Sequence, residues 1–267
     1  MKVKRLIFDI ETSFCKGHFW RPGYGQRIGP EQITEFGKII SFHWKWLGDE
    51  KVKHIHWGLN NQCDKKIVEK AVKLFDEADE IIAHFGDKFD IPWVRTRAAF
   101  HNIPMRPDYN TIDTKKWASK YLALPSNSLK SICQYFGLSA KLDPGGIETW
   151  QDVIFRKDAK ALKHLLYYGD GDIVSLEAAF KKLRPYVEPN MHAHSDMVHI
   201  GGMKYALGKF FCPECGDLGR HRKQYRTRAG TIRHYMSCRK PDCLTSYKVS
   251  SKTFRDYLSY KAFNNIK

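Results

Sequence analysis

Residues 6–13 read LIFDIETS, an apolar run that predicts a β-strand and yet carries two acids, Asp9 and Glu11. Side chains on a strand alternate between faces, so Asp9 and Glu11 share one face, about 6.5–7 Å apart along the chain, while Phe8 and Ile10 occupy the other. Like charges on one face repel. A solvated edge strand would relieve them, and so would a shared cation. Which of the two applies depends on whether other segments bring further ligands to the same place.

The chain has 267 residues, 42% of them hydrophobic, enough for one sizeable core and a small appendage. Nothing approaches a run of 18 apolar residues, and the acids of MKVKRLIFDIETS come too early for the apolar region of a secretory signal, so a soluble cytoplasmic protein is expected. Lys and Arg total 45 against 29 Asp and Glu, a formal charge of +16. That balance suits a partner of phosphate backbones, although a Lys-rich solvated surface has the same composition. Of the 7 Cys, Cys15, Cys63 and Cys133 are scattered and read as ordinary buried thiols. Cys212, Cys215, Cys238 and Cys243 form C-x2-C and, after 22 intervening residues, C-x4-C. In an intracellular chain such pairing reads as metal ligation rather than a disulfide framework.

After the first strand and a Gly/Pro- and aromatic-rich stretch, GKIISFHWKWLG and KVKHIHWG read as a hairpin around Gly48, Asp49 and Glu50. Residues 65–78 have helical apolar spacing, EIIAHFG reads as a short buried strand, and a helix is expected from about 91 to 102. TIDT at 111–114 is a strand candidate, and SNSLKSICQYFGL opens with a Ser/Asn cap before an amphipathic helix. Residues 158–183 predict one long helix or two abutting at Gly169 and Gly171, ended by Pro185 and the EPN of 188–190. The last 80 residues carry 15 Lys and Arg against 6 Asp and Glu, which makes the tail the more basic part per residue.

Further acids occupy suitable places. Asp90 ends AHFGDKFD, just beyond a strand at the start of a helix. Asp172 follows Tyr168 by four residues, so on a helix the hydroxyl and the carboxylate share a face. Asp170 lies off that face and reads as solvated, as does Asp87 in its turn. Mg²⁺ and Mn²⁺ take hard oxygen ligands, and a two-metal site needs several converging carboxylates, a number that Asp9, Glu11, Asp90 and Asp172 supply. Such a site stabilises the attacking and leaving oxygens of displacement at phosphorus, and a Tyr hydroxyl can orient the attacking water.

FDIET, HFGDKFDIP and YGDGDIVSLE resemble, in this order, the three exonuclease motifs of the DEDD superfamily of RNase H-like 3′-5′ exonucleases, and the Tyr before the last Asp marks the DEDDy branch. The resemblance points to the group related to family B DNA polymerase proofreading domains, often free-standing and phage-encoded. It extends over IDTKKWA, over SNSLKSICQYFGL with Lys141 beyond it, and over LRPYVEPN leading into CPEC. It implies an α/β fold, an RNase H-like mixed sheet flanked by helices over residues 1–187, then a linker, 188–205, and a small C-terminal zinc ribbon with a basic tail, 206–267. It further implies Asp9, Glu11, Asp90 and Asp172 as ligands of two Mg²⁺ or Mn²⁺ and Tyr168 as the water-orienting group. The activity implied is hydrolysis at the 3′ end of single-stranded DNA, releasing nucleoside 5′-monophosphates. One departure is that the second motif usually carries Asn where this chain has Phe85, which bears on substrate positioning more than on metal binding. A structure-selective endonuclease of the same fold is one other reading, and a catalytically silent nucleic-acid-binding adaptor is another; the presence of all five active-site residues speaks against the adaptor. No polymerase domain fits, so any proofreading is expected in trans, beside a replication or repair protein.

FCPECG and YMSCRKPDC place two pairs of Cys on knuckles separated by a basic stretch, the arrangement of a zinc ribbon holding one structural Zn²⁺. Between them, HRKQYRTRAGTIRHY interleaves Arg222, Lys223, Arg226, Arg228 and Arg233 with Tyr225 and Tyr235, which suits phosphate contact and base stacking. The plainer alternative is that zinc staples a domain too small for its own core and the cations are merely solvated. His192, His194 and His199 read as incidental rather than as extra ligands.

Overall fold

The computed structural model describes residues 3–20, 28–138, 145–188, 198–200, 203–205 and 209–266. Lys141, His192 and His194 lie outside these, as does the side chain of His199. Backbone contacts divide the chain into a larger unit, Lys4–Phe180, and a smaller one that begins at Lys181.

The larger unit is built on five strands in the order β5-β4-β1-β6-β7: β1 (Arg5–Thr12), β4 (Ile39–Trp46), β5 (Lys53–His56), β6 (Glu80–Ala83) and β7 (Thr111–Asp113). Two short strands, β2 (Lys16–Gly17) and β3 (Ile33–Glu35), pair separately. The expected hairpin is present as β4 and β5, and β1 pairs antiparallel with β4 but parallel with β6, which makes the sheet mixed. Parallel pairing needs crossovers, and α1 (Lys65–Glu77) and α2 (Asp90–Phe100) supply them. Phe8 of β1 meets Phe75 of α1 edge-on, ring centroids 4.8 Å apart, and lies 5.7 Å from Phe42 of β4. The even-numbered face of β1 is therefore core. Asp64, fully buried before α1, accepts hydrogen bonds from Arg97 Nε at 2.6 Å and from the backbone of Ile39 at 3.1 Å, which ties α2 to β4.

Three more helices follow: α3 (Thr114–Tyr121), α4 (Leu129–Tyr135) and α5 (Gly146–Gln151). α3 and α5 were not expected from the sequence. The Asp113 side chain caps α3 by accepting from the backbone of Lys115 and Lys116, so strand passes directly into helix. α6 (Ala159–Leu183) is one continuous helix through Gly169 and Gly171. It covers the other face of the sheet, where Lys45 of β4 pairs with Glu177 at 2.6 Å, both nearly buried.

The smaller unit holds a hairpin of β8 (Val198–Ile200) and β9 (Met203–Tyr205). A three-stranded antiparallel sheet follows, β10 (Gly219–Arg226), β11 (Ile232–Cys238) and β12 (Ser246–Ser250). α7 (Ser251–Phe263), capped by Ser250, was not expected and packs its Phe254 and Tyr257 into a small core with Phe210, Met236, Tyr247 and Val249. Of the three scattered thiols, only Cys133 is buried; Cys15 and Cys63 are exposed because they sit in irregular connecting segments outside the strands and helices. Among the described residues no helix is long and apolar enough to cross a membrane.

Candidate active site

Carboxylate oxygens of Asp9, Glu11 and Asp172 all lie within 4.8 Å of one another. The first two come from the odd-numbered face of β1, opposite the aromatic core, and the third from α6 where the helix crosses that face. Glu11 and Asp172 are buried and Asp9 is half-buried. Tyr168, one helical turn before Asp172, is hydrogen-bonded to it. Burial raises the Tyr168 phenol above its ordinary range, and the charges of Asp172, Glu11 and Asp9 raise it further. It therefore stays protonated and donates its O–H. Three carboxylates this close repel in the absence of a cation, and their oxygens are the hard donors that Mg²⁺ and Mn²⁺ favour.

Asp90 stands outside that triple. It opens α2 beyond the end of β6, and its carboxylate accepts the backbone N–H of Ile10, the residue between Asp9 and Glu11. Burial pushes its carboxyl up to about 7, the two backbone N–H groups hold it down, and the neighbouring Asp113 adds to the rise. Oδ1 of Asp90 is buried without a hydrogen-bond partner, and so is Oδ2 of Asp113. An orphaned buried carboxylate oxygen costs free energy unless something else meets it, and a cation beside β1 fits that requirement. The sequence reading did not single out Asp113. Its only sign there was an acid at the end of a short apolar strand.

Phe85 adopts φ 70°, the left-handed region in which Asn is tolerated far better than a bulky side chain. The Asn of the resembling motif thus suits the backbone here. Phe85 is held nonetheless: its N–H donates to Asp113 Oδ1 at 3.0 Å, and Lys115 Nζ lies 3.9 Å from its ring centroid.

Asp170, which reads as solvated from the sequence, is only partly exposed and is paired. It accepts from His43 Nδ1 at 2.8 Å and from His54 Nδ1 at 3.0 Å, and His43 Nε2 lies 2.9 Å from Ser41 Oγ. Register explains this: His43 sits opposite Asp9 on β4 and opposite His54 on β5, so all three share the face that α6 covers. Burial lowers the His43 imidazole despite the nearby carboxylate, so the ring is neutral, with Nδ1–H donating to Asp170. Gly169 makes the close approach possible. A Cβ there would fall among the His43 ring atoms, 2.6 Å from Cε1 and 2.7 Å from Cδ2. A glycine inside a helix costs about 1 kcal/mol relative to alanine, which is the sequence signal that it serves packing. Gly169→Ala is expected to lift α6 between Tyr168 and Asp172, destabilise the larger unit by about 1–3 kcal/mol, and lower turnover by at least about tenfold. Urea unfolding and single-turnover rates measure the two effects, and an unchanged rate would show that the helix position does not set the site.

The four Cys of the smaller unit also converge, their sulfurs within 4.8 Å of one another. Cys212 and Cys243 Sγ are 3.6 Å apart and Cys215 and Cys238 Sγ 3.5 Å. A disulfide would require about 2.0 Å, whereas tetrahedral ligation at about 2.3 Å per bond puts sulfurs roughly 3.8 Å apart. Backbone N–H groups of Glu214 and Lys240 each point to a sulfur two residues earlier, at 3.4 Å, which shapes both knuckles. Burial pushes the Cys212 thiol up to about 12 when no cation neutralises the group.

The basic residues expected to touch nucleic acid do not form one surface. Lys223 pairs across the ladder with Tyr235, and Arg233 with Tyr225; Arg226 pairs with Ile232 in a row of opposite orientation. Arg222 falls within the register shift between His221 and Lys223, and Arg228 lies in the turn between β10 and β11.

Comparison with curated protein sequences finds no match. Among solved structures, the chain is similar to a family B DNA polymerase from the hyperthermophilic archaeon Pyrobaculum calidifontis, at TM-score 0.52 and 18% identity, over 69% of this chain and 25% of that one. The likeness is one of fold, and it spans a quarter of the polymerase. A family model described as RNase_H superfamily matches residues 33–184, a span that contains Asp90, Tyr168 and Asp172 and begins after Asp9 and Glu11. That match covers more than half of the sequence, and the chain belongs to the RNase H superfamily.

Proposed function

We propose that the larger unit is a metal-dependent 3′-5′ exonuclease of the DEDDy type, acting on single-stranded ends and releasing nucleoside 5′-monophosphates. The RNase H fold supports nuclease chemistry, and the observation that carries the reading is the convergence of Asp9, Glu11 and Asp172 with a protonated Tyr168 on Asp172. Asp9, Glu11 and Asp172, with Asp90 beside β1, would hold the divalent ions, which when bound supply charge stabilisation to the attacking and leaving oxygens. Tyr168 orients a water by hydrogen bonding and does not deprotonate it, since its own proton is firmly held. The neutral His43 and Asp170 keep α6, and with it both site residues, in place over β1. In the smaller unit the four Cys would hold one Zn²⁺ with a structural role, since all four positions are filled by protein.

The test is incubation of the protein with Mg²⁺ or Mn²⁺ and 5′-labelled single-stranded DNA or RNA, with 3′-blocked strands as controls. A ladder shortening one nucleotide at a time from a free 3′ end is expected, and cleavage of blocked strands at internal sites would replace this reading with an endonuclease. Tyr168→Phe keeps the ring and removes only the hydroxyl, so single-turnover cleavage should fall roughly 10- to 1,000-fold with little change in metal affinity.

A further inference from the structure

We propose that the exposed face of the small three-stranded sheet is a platform for single-stranded nucleic acid, with Tyr225 and Tyr235 taking bases and the flanking cations leading the phosphates into a groove beside the Cys238 knuckle. The inference rests on the nuclease reading only for its choice of polyanion.

The two faces of this sheet are unlike. One carries His234, Met236, Tyr247 and Val249, all buried, and α7 covers it, with the Phe254 ring stacked 3.9 Å from His234. The other lies open in three rows fixed by register. Tyr225 faces Arg233; Lys223 faces Tyr235, which faces Lys248; and beyond the register shift Arg220 faces Ser237, which faces Ser246. Neighbouring rows are about 6.8 Å apart along the strands. The Tyr225 and Tyr235 rings stack, centroids 4.9 Å apart and inclined by 27°. Lys223 and Lys248 Nζ lie 5.5 and 5.6 Å from the Tyr235 ring centroid. Aromatic faces with cations beside them are the elements that bind strands without sequence preference.

The last row opens into a groove of about 370 Å³ whose cations are Arg220, Arg222, Arg239 and Lys240, with no acid among its lining residues. Arg220 and Arg239 also border a second hollow of about 500 Å³, reached by Lys261 from α7. Glu188 pairs with Lys248 at 2.9 Å, both partly exposed. An exposed pair of this kind is worth little, so a phosphate can replace the carboxylate. The rows offer no aliphatic side chain, and the groove offers only Leu244 and Pro241 among its four cations, which favours a polyanion over apolar docking of a protein. A duplex keeps its bases stacked inside, out of reach of Tyr235, which is why the occupant is an unpaired strand. On this account the contacts include Arg220, Arg239 and Lys248, none singled out by sequence, and exclude Arg226.

The experiment uses the full chain carrying Asp172→Asn, so that the strand is not consumed, and a fluorescein-labelled oligothymidylate of about 12 nucleotides. Anisotropy is recorded across a salt series, and bound zinc is measured for every variant. Tyr235→Ala should weaken binding roughly 5- to 150-fold while Tyr235→Phe, which keeps the ring, stays within about threefold. Arg220→Ala with Arg239→Ala should weaken binding and flatten the salt dependence by about 0.7 log units per lost phosphate contact, whereas Arg226→Ala should leave the curve unchanged. Superimposable curves for parent and platform variants would overturn the proposal. So would an Arg226→Ala loss equal to that of Arg220 and Arg239, or equal competition by an acidic peptide of matched charge. Binding that holds while the cleavage ladder fails removes the nuclease reading alone; a ladder that survives while these variants bind normally removes the platform alone.

Discussion

Asp90→Asn is expected to abolish hydrolysis and at the same time to stabilise the protein at pH 8 in buffer without Mg²⁺ or Mn²⁺. Asp90 has its carboxyl raised to about 7 by burial, against an unfolded value near 3.8. Between these values the folded chain binds more protons than the unfolded one, so stability falls as pH rises from about 4 to about 7 and stays reduced above that. Asn removes the titrating proton while its Oδ1 still accepts the N–H of Ile10. The gain at pH 8 is on the order of 2–4 kcal/mol. At pH 4 the two proteins should be nearly equal in stability. Loss of a ligand removes transition-state charge stabilisation, so the cleavage rate should drop by at least about a thousandfold at any metal concentration. Urea unfolding at pH 4, 6 and 8, beside single-turnover cleavage at saturating Mn²⁺, measures both effects. A variant less stable than the parent at pH 8, or one that still cleaves at a near-normal rate, would show that Asp90 is an ordinary buried acid.

Cys212→Ser should unfold the smaller unit. Among the described residues its core is small, a cluster of seven buried residues from Phe210 to Tyr257 of which Cys212 is itself one, and domains of this size lean on a metal or disulfides. Structural zinc in comparable peptides is worth about 10–16 kcal/mol of apparent free energy, more than such a core supplies. Zinc content should fall to background, the β10–β12 amides should lose hydrogen-exchange protection, and single-strand affinity should drop with them. The larger unit has its own core around Phe8, Phe42 and Phe75, so its amides should remain protected and cleavage at saturating substrate should persist. Full protection of β10–β12 in the zinc-free variant would mean that packing of Phe210 and Tyr257 suffices.

What was legible in the sequence was whatever a local pattern determines. The alternation in LIFDIETS fixed which face holds the acids, the 3.6-residue period marked α1 and α6, and C-x2-C with C-x4-C drew four sulfurs together. What was missed depends on partners far along the chain. Asp170 looks solvated on a helical wheel, and only the pairing of β4 with β1 and β5 places two imidazoles beneath it. Gly169 looked like a possible break because propensity alone cannot show His43 against its Cα. Lys223 and Arg226 part onto two faces by strand alternation, whereas the register shift between His221 and Lys223 brings Arg220 onto the face of Lys223, and no count of Arg and Lys contains that information.

α6 is fastened to the sheet on either side of Asp172: Asp170 is held at His43 and His54, and Glu177 at Lys45. A helix held at one point can slide by a turn or swivel. One held at two points, on β4 and β5, can do neither without releasing both together. On the exonuclease reading proposed above, a strand end would then meet side chains already aimed, so binding free energy is not consumed in assembling them and the work passes from rearrangement to recognition.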